Sequence, residues 1–298
     1  MLLLRPAIAD APQGTVVWYT SIGLEWLTPI AKRFEASHPG LTLQTLRMSA
    51  NLLPARIVTE QRSGRFGVDV VNADNVPMAQ LQKAGALDSQ LPLRDLYLNT
   101  TILAWNTKKL ADDGLRPPAS VADLAKPEWK GKIGVDATAY NWYQGMLETV
   151  PNARDLLKAI AANHPFIAAG HDAIIAQLAA GEFDVTPTAY GFLCEASRAS
   201  GQPVACYNPR PVLVDASLVT LAKNPPHPAA ARILLDWLLS KEGQQAIVDL
   251  TGRSSRVAGV HNNPRIWDPR MQVHIVGTPD AAAYNALVSE YKTVFGVN

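Results

Sequence analysis

Three tyrosines and a set of short polar side chains carry the chemistry that this sequence can offer. Tyr140 and Tyr143 stand together with Thr138 and Trp142, and Tyr190 stands just after Thr188. Ser21, Ser49, Asn51 and Asn72 each follow a short apolar run and precede a stretch of helical spacing. Hydroxyl and amide side chains beside the free N–H groups of a helix start suit an anion or a carboxylate. Singly, each is more often a helix cap; their collection at corresponding points of the chain favours binding for the set. Phenolate oxygen suits a hard cation such as Fe(III), whose binding deprotonates a phenol of ordinary pKa near 10. Trp142 offers a stacking face, with plain packing as the competing role. Asp215 offers a partner for the ammonium of a zwitterion, with a turn as the competing role. Arg47 and Arg56 flank the Ser49/Asn51 loop and offer charge to an anion, against a reading as solvated surface side chains. The six histidines show no metal-ligand spacing and read as surface or cap positions.

The elements that must position these residues alternate. A short apolar run, a polar loop and an amphipathic helix recur three times: Thr15 to Tyr19 before a helix ending near Ser37, Leu41 to Arg47 before a helix over 52–63, and Val68 to Val71 before a helix from Pro77. Gly64 and Gly85 supply helix stops. Strands alternating with helices of this length predict a doubly wound, mostly parallel α/β sheet. Ligands of such sheets sit outside the carboxyl ends of the strands, where the polar loops fall. Thr101 to Trp105 reads as another strand, Ser120-x-x-Asp123 as a cap, and Ile133 to Val135 and Phe166 to Ala168 as short strands. Thr186 to Tyr190 is predicted to open a helix ending at Gly201. Near the end, Pro228 suits a first helical turn, and Ala230, Ile233, Leu234, Trp237 and Leu238 form one apolar face. Ser240 caps a second helix, which Gly252 ends.

The 298 residues suit two lobes better than one core. A formal charge of +1 without a Lys/Arg block gives no footprint for nucleic acid or a membrane surface. No apolar run reaches the roughly 18 residues of a membrane span. Met1 to Leu4, with Ala7-Ile8-Ala9 before Asp10, reads as the stump of an export signal or as a frayed end. Cys194 and Cys206 are read as two buried thiols, with a disulfide closing a short loop as the alternative. G-x-S-x-G, P-loop, G-x-G-x-x-G and H-E-x-x-H motifs are all absent. A hydrolytic enzyme is therefore a remote alternative, resting only on the turn-like Thr20-Ser21-Ile22-Gly23.

Four phrases carry a family resemblance: Val17-Trp18-Tyr19-Thr20-Ser21, Leu124 to Ile133 (LAKPEWKGKI), Gly181 to Val185 (GEFDV), and Asn224-Pro225 with Leu239 to Gln245 (LSKEGQQ). In this order and spacing they resemble periplasmic solute-binding proteins of ABC importers, of the type II fold and the ferric-iron-type branch. The resemblance implies two lobes, each a mostly parallel sheet: residues 15–104 and 214–298 in lobe one, 105–213 in lobe two, and 1–14 outside both. It implies crossing strands near Thr101–Asn106 and Ala205–Leu213, and the last helix pair packed on lobe one away from the ligand. It implies a monomeric, non-enzymatic periplasmic receptor that takes a small ligand from the cleft to a membrane permease, without nucleic acid. The ligand expected is a small organic or phosphorus-containing anion, held by Ser21, Ser49, Asn51, Asn72, Thr138, Tyr140, Trp142, Tyr143, Thr188, Tyr190 and Asp215. No cofactor is expected. Ferric iron is the alternative cargo, through Tyr190 with Tyr140 and Tyr143. Against it, the ferric branch often has two adjacent tyrosines where this chain has Tyr190 followed by Gly191.

Overall fold

The computed structural model describes residues 13–268 and 270–297. The export-signal reading of Met1 to Asp10 lies outside them. The first lobe opens with β1 (Gly14–Thr20), α1 (Leu24–Ser37), β2 (Leu41–Arg47), α2 (Leu53–Arg62), β3 (Val70–Asp74) and α3 (Asn75–Lys83). The long strand β4 (Arg94–Asn106) then runs into the second lobe, followed by α4 (Thr107–Asp112), β5 (Gly134–Asp136), α5 (Tyr140–Thr149) and α6 (Ala153–Ala162). Next come β6 (Phe166–Ala168), α7 (His171–Ala180), β7 (Val185–Tyr190), α8 (Gly191–Ala199) and β8 (Val204–Tyr207). The chain returns through β9 (Val212–Leu221) to α9 (Pro228–Leu239) and α10 (Lys241–Thr251), and ends with β10 (Val273–Ile275) and α11 (Ala281–Phe295).

One sheet orders its strands β2-β1-β3-β9-β4-β7, with β8 added on β4 and β10 on β9. β2, β1 and β3 are parallel, as the three strand–helix units require. β9 runs antiparallel to β3, and β4 antiparallel to β9. β4 pairs β9 from Arg94 to Thr101, and β8 from Leu103 to Asn106; β4 covers the expected Thr101–Asn106, while the returning strand β9 starts at Val212, at the end of the expected Ala205–Leu213 stretch. In the second lobe β5 and β6 are parallel, and Ile133 bridges Val185 at the start of β7. The α/β two-lobed architecture agrees with the expectation.

The lobe-one core joins Trp18, Phe34 and Val70 to the apolar face of α9 and α10, through Leu234, Trp237, Leu238 and Ile247. Each such fully buried side chain contributes roughly 1.5–3 kcal/mol relative to exposure. Ser240 accepts a hydrogen bond from the Gly243 N–H, and Gly252 closes α10 in the left-handed region at φ 70°, as the sequence predicts.

Three expectations are corrected. Thr186 to Tyr190 is strand, not helix; β-branched Val185 and Thr186, with Ala189 and Tyr190, pair along β4, and the helix begins only at Gly191. Residues 214–298 do not all join lobe one: α11 packs on α5 and α6, with Tyr291 and Phe295 in the lobe-two core beside Trp142 and Tyr143. Cys194 and Cys206 are a disulfide rather than free thiols, because α8 folds back on β8 and brings their Cα atoms to 6.6 Å. Closing so short a loop is worth about 3 kcal/mol in the chain-entropy account. The double variant Cys194→Ser/Cys206→Ser is expected to lose about that much in urea unfolding, and unchanged stability would refute the account.

Candidate functional site

Between the lobes lies a polar cavity of about 650 Å³. Four helix N-termini open onto it: those of α2, α3, α5 and α7 contribute Asn51, Asn75 to Pro77, Tyr140 to Trp142, and His171. Their first-turn N–H groups give this space a positive potential.

The floor comes from the crossing strands. Tyr97, Asn99 and Thr101 alternate along β4, so all three face one side. Asp215 pairs with Asn99 across β9, and Tyr190 with Thr101 across β7. The Tyr190 phenol donates to Asp215 Oδ2 at 2.9 Å, and its ring lies 3.8 Å, centroid to centroid, from the His171 imidazole. The second oxygen of Asp215, Oδ1, is buried without a hydrogen-bond partner.

His171 is placed by the parallel β5–β6 pair, which sets Asp136 beside Ala168, three residues before His171. His171 Nδ1 then lies 2.7 Å from Asp136 Oδ2. Burial disfavours the charged ring, but Asp136, with Asp215 and Asp74 behind it, outweighs that and raises the pKa above the ordinary value. The other Asp136 oxygen accepts from the Thr138 N–H and hydroxyl. Asp74 ends β3 at the cavity edge, and burial raises its pKa against the lowering charges of His171 and Arg253. Burial likewise pushes Asp215 up to about 6; Asp74 adds to the rise, while the Tyr190 hydrogen bond and His171 oppose it.

Arg253 brings a buried guanidinium to the site. It follows Gly252, and the backbone of Ser254 is pinned to Leu98 of β4 by two hydrogen bonds. Its guanidinium carbon sits 4.3 Å from the Trp26 and Phe192 ring centroids and 4.9 Å from that of Tyr97. The residue is only 9% exposed, and its Nε and Nη1 are buried without partners.

Of the residues expected from sequence, Ser21, Ser49, Asn51, Thr138, Tyr140, Trp142, Thr188, Tyr190 and Asp215 line this cavity. Trp142, 3% exposed and packed against Phe295, is mostly core. Two do not line it. Asn72 is fully buried, accepting from Thr20 and donating to Ser217 and the Leu218 carbonyl, and so ties β1, β3 and β9 together. Tyr143 is also fully buried, its phenol donating to Glu290 at 2.9 Å. Burial, with Glu290 beside it, raises that phenol's pKa far above 10. The proposed ferric set of Tyr190, Tyr140 and Tyr143 is therefore not assembled around one point. Arg47 lines the rim, whereas Arg56 pairs with Glu60 outside it. His171, expected at the surface, belongs to the wall. Asp74 lies in the strand-end loop after β3, where the sequence places polar chemistry, while Asn99, Arg253 and Tyr284 join the site unforeseen.

A family profile described as bacterial extracellular solute-binding protein matches residues 16–249. A search of curated protein sequences finds no match. Among solved structures, the substrate-binding protein of an ABC transporter from Agrobacterium tumefaciens is similar at TM-score 0.79 and 18% identity, over 94% of this chain and 95% of that one. AfuA of Actinobacillus pleuropneumoniae, a periplasmic binding protein with fructose-6-phosphate bound, gives TM-score 0.80 and 19% identity, over 96% and 100%. Iron-bound HitA of Pseudomonas aeruginosa gives 0.77 and 20%, over 95% and 99%. At such identities these likenesses establish the fold. No helix among the described residues is long and apolar enough to cross a membrane. With a family profile running through both lobes and the cleft between them, the chain belongs to the bacterial extracellular solute-binding proteins.

Proposed function

We propose that this protein is a monomeric periplasmic receptor that binds a small organic or phosphorus-containing anion between its lobes and delivers it to an ABC import permease. The observation that carries the reading is Arg253: a buried guanidinium, sandwiched by rings, with two donor nitrogens that no protein atom among the described residues satisfies. Leaving such groups unpaired is costly unless a ligand supplies the acceptors. A phosphate, phosphonate or carboxylate matches the planar fork of Arg253 and the converging helix N-termini. Lobe closure about β4 and β9 would trap it, and binding would stabilise the fold by mass action. The role needs no cofactor and no catalytic group. The relatives named above are binding proteins, and the chain is read as one rather than as an enzyme.

The test is thermal shift and calorimetry with phosphonates, phosphate esters and carboxylates, each beside a neutral analogue. Anions are expected to raise the melting temperature where their neutral analogues do not. Tyr190→Phe should weaken binding roughly tenfold, because it removes the hydrogen bond that holds the Asp215 carboxylate in the cleft wall, while Tyr143→Phe should leave it unchanged. Equal response to anions and neutral analogues, or hydrolysis of an ester substrate without any binding, would overturn the reading.

A further inference from the structure

The cleft also holds negative charge that an anion does not answer. Asp215 is 4% exposed, lines the cavity, and keeps its Oδ1 buried without a partner. Asp74 lines the same cavity, and its charge adds to the cost of ionising Asp215. Neither forms an ion pair with a protein cation among the described residues, whereas Asp136 has His171. Among the same residues Arg253 is likewise free of any ion pair. The site therefore presents a cation and two carboxylates with no direct ion pair between them. Either one alone invites a counter-charge, and a single ligand can answer both only by carrying both signs.

We propose that the ligand is a zwitterion, its acidic group on Arg253 and the N-termini of α3 and α5, and its ammonium between Asp74 and Asp215 beside the Tyr190 hydroxyl. This rests on the anion-receptor reading and narrows it to amino-bearing acids. A hydroxyl could donate to Asp215 Oδ1, but it would not neutralise the paired carboxylates; an ammonium does both, with three donors. Arg47 and Arg253 face Asp74 and Asp215 around the same cavity, so a ligand near neutrality adds no net charge to it.

The experiment is calorimetry on the full chain with matched pairs. ω-Aminoalkylphosphonates and ω-amino acids of two to four carbons are titrated beside alkyl analogues in which methyl replaces the ammonium, with fructose 6-phosphate as the hydroxyl-rich control. At least one amino-bearing probe is expected to bind roughly 100-fold more tightly than its methyl analogue, because a site built to meet a polar group rejects the partner that lacks it. Asp215→Asn should reduce that ratio about tenfold or more while the methyl analogue binds as before or better. Two results would overturn the proposal and leave the anion receptor standing: methyl analogues binding as well as amino-bearing ones, or fructose 6-phosphate binding best. If no probe, amino-bearing or not, binds at all, the anion reading falls with it.

Discussion

Arg253→Ala is expected to weaken binding of any anion the receptor recognises by about 100-fold or more, the scale of removing one partner from a desolvated charge pair. The guanidinium sits among Trp26, Tyr97 and Phe192, which fix its plane and exclude water from Nε and Nη1. A charge held in that way loses little side-chain entropy when an acceptor arrives. Arg253→Lys should fall between wild type and alanine, since an ammonium keeps the charge but neither lies flat between rings nor presents a fork. The change in fold stability should be small by comparison. Alanine forfeits the ring contacts, about 1–2 kcal/mol, but also removes a buried cation with unmet donors, so the two effects oppose. Titration calorimetry and urea unfolding on the same variants separate the outcomes. Binding unchanged in the alanine variant would remove Arg253 from the site; a stability loss equal to the binding loss would make it a structural residue.

The position of Arg253 shows where the sequence is legible. The α9–α10 pair can be read almost residue by residue from prolines, apolar spacing and caps, because its chemistry is local. Arg253 stands one residue past the glycine stop of that pair. Its neighbours Trp26, Tyr97 and Phe192 come from three other elements, and nothing in spacing announces their convergence. Tyr97, Asn99 and Thr101 leave a signal only in their two-residue spacing, since Thr100 among them is polar as well. A strand begun at Thr101 misses it, and β4 begins at Arg94. Tyr143 escapes for a related reason. Its place depends on α11, whose Glu290 takes the phenol and whose Tyr291 and Phe295 surround the ring, across some 147 residues of sequence. His171 meets Asp136 only because β5 and β6 are adjacent and parallel. Helix starts and strand ends are thus readable as places for polar chemistry, while the identity of the partners across the cleft is set by long-range packing.

Asp215→Asn is expected to make the ligand-free protein more stable at neutral pH while damaging recognition of an amino group. Burial pushes the Asp215 carboxyl up to about 6, Asp74 adds to the rise, and the Tyr190 hydrogen bond and His171 only partly offset it. The unfolded chain titrates near 3.9. Between these values the folded protein holds a proton that the unfolded chain has lost. The stability tied to protonated Asp215 is therefore complete below about pH 4 and is lost as pH rises through about 6. At pH 7.5 the ionised form costs up to about 3 kcal/mol, from a shift of roughly two units at 1.36 kcal/mol each. Asparagine reproduces the neutral side chain and still accepts from Tyr190, so it should regain most of that, about 5 °C or more in melting temperature. The gain should shrink towards zero as pH falls to 4, where wild type is protonated as well. The groups facing this carboxylate from other elements are Asp74 at the end of β3, Asn141 on α5, Tyr190 on β7 and His171 on α7, so Asp74→Asn should reduce the gain by removing the repulsion. An ammonium ligand would reverse the ranking, because it stabilises the ionised carboxylate of wild type and finds nothing equivalent in asparagine. Melting curves that show no pH-dependent difference between wild type and the Asp215→Asn variant would mean that the carboxylate is solvated in the open cleft. It would then impose no cost for a ligand to relieve.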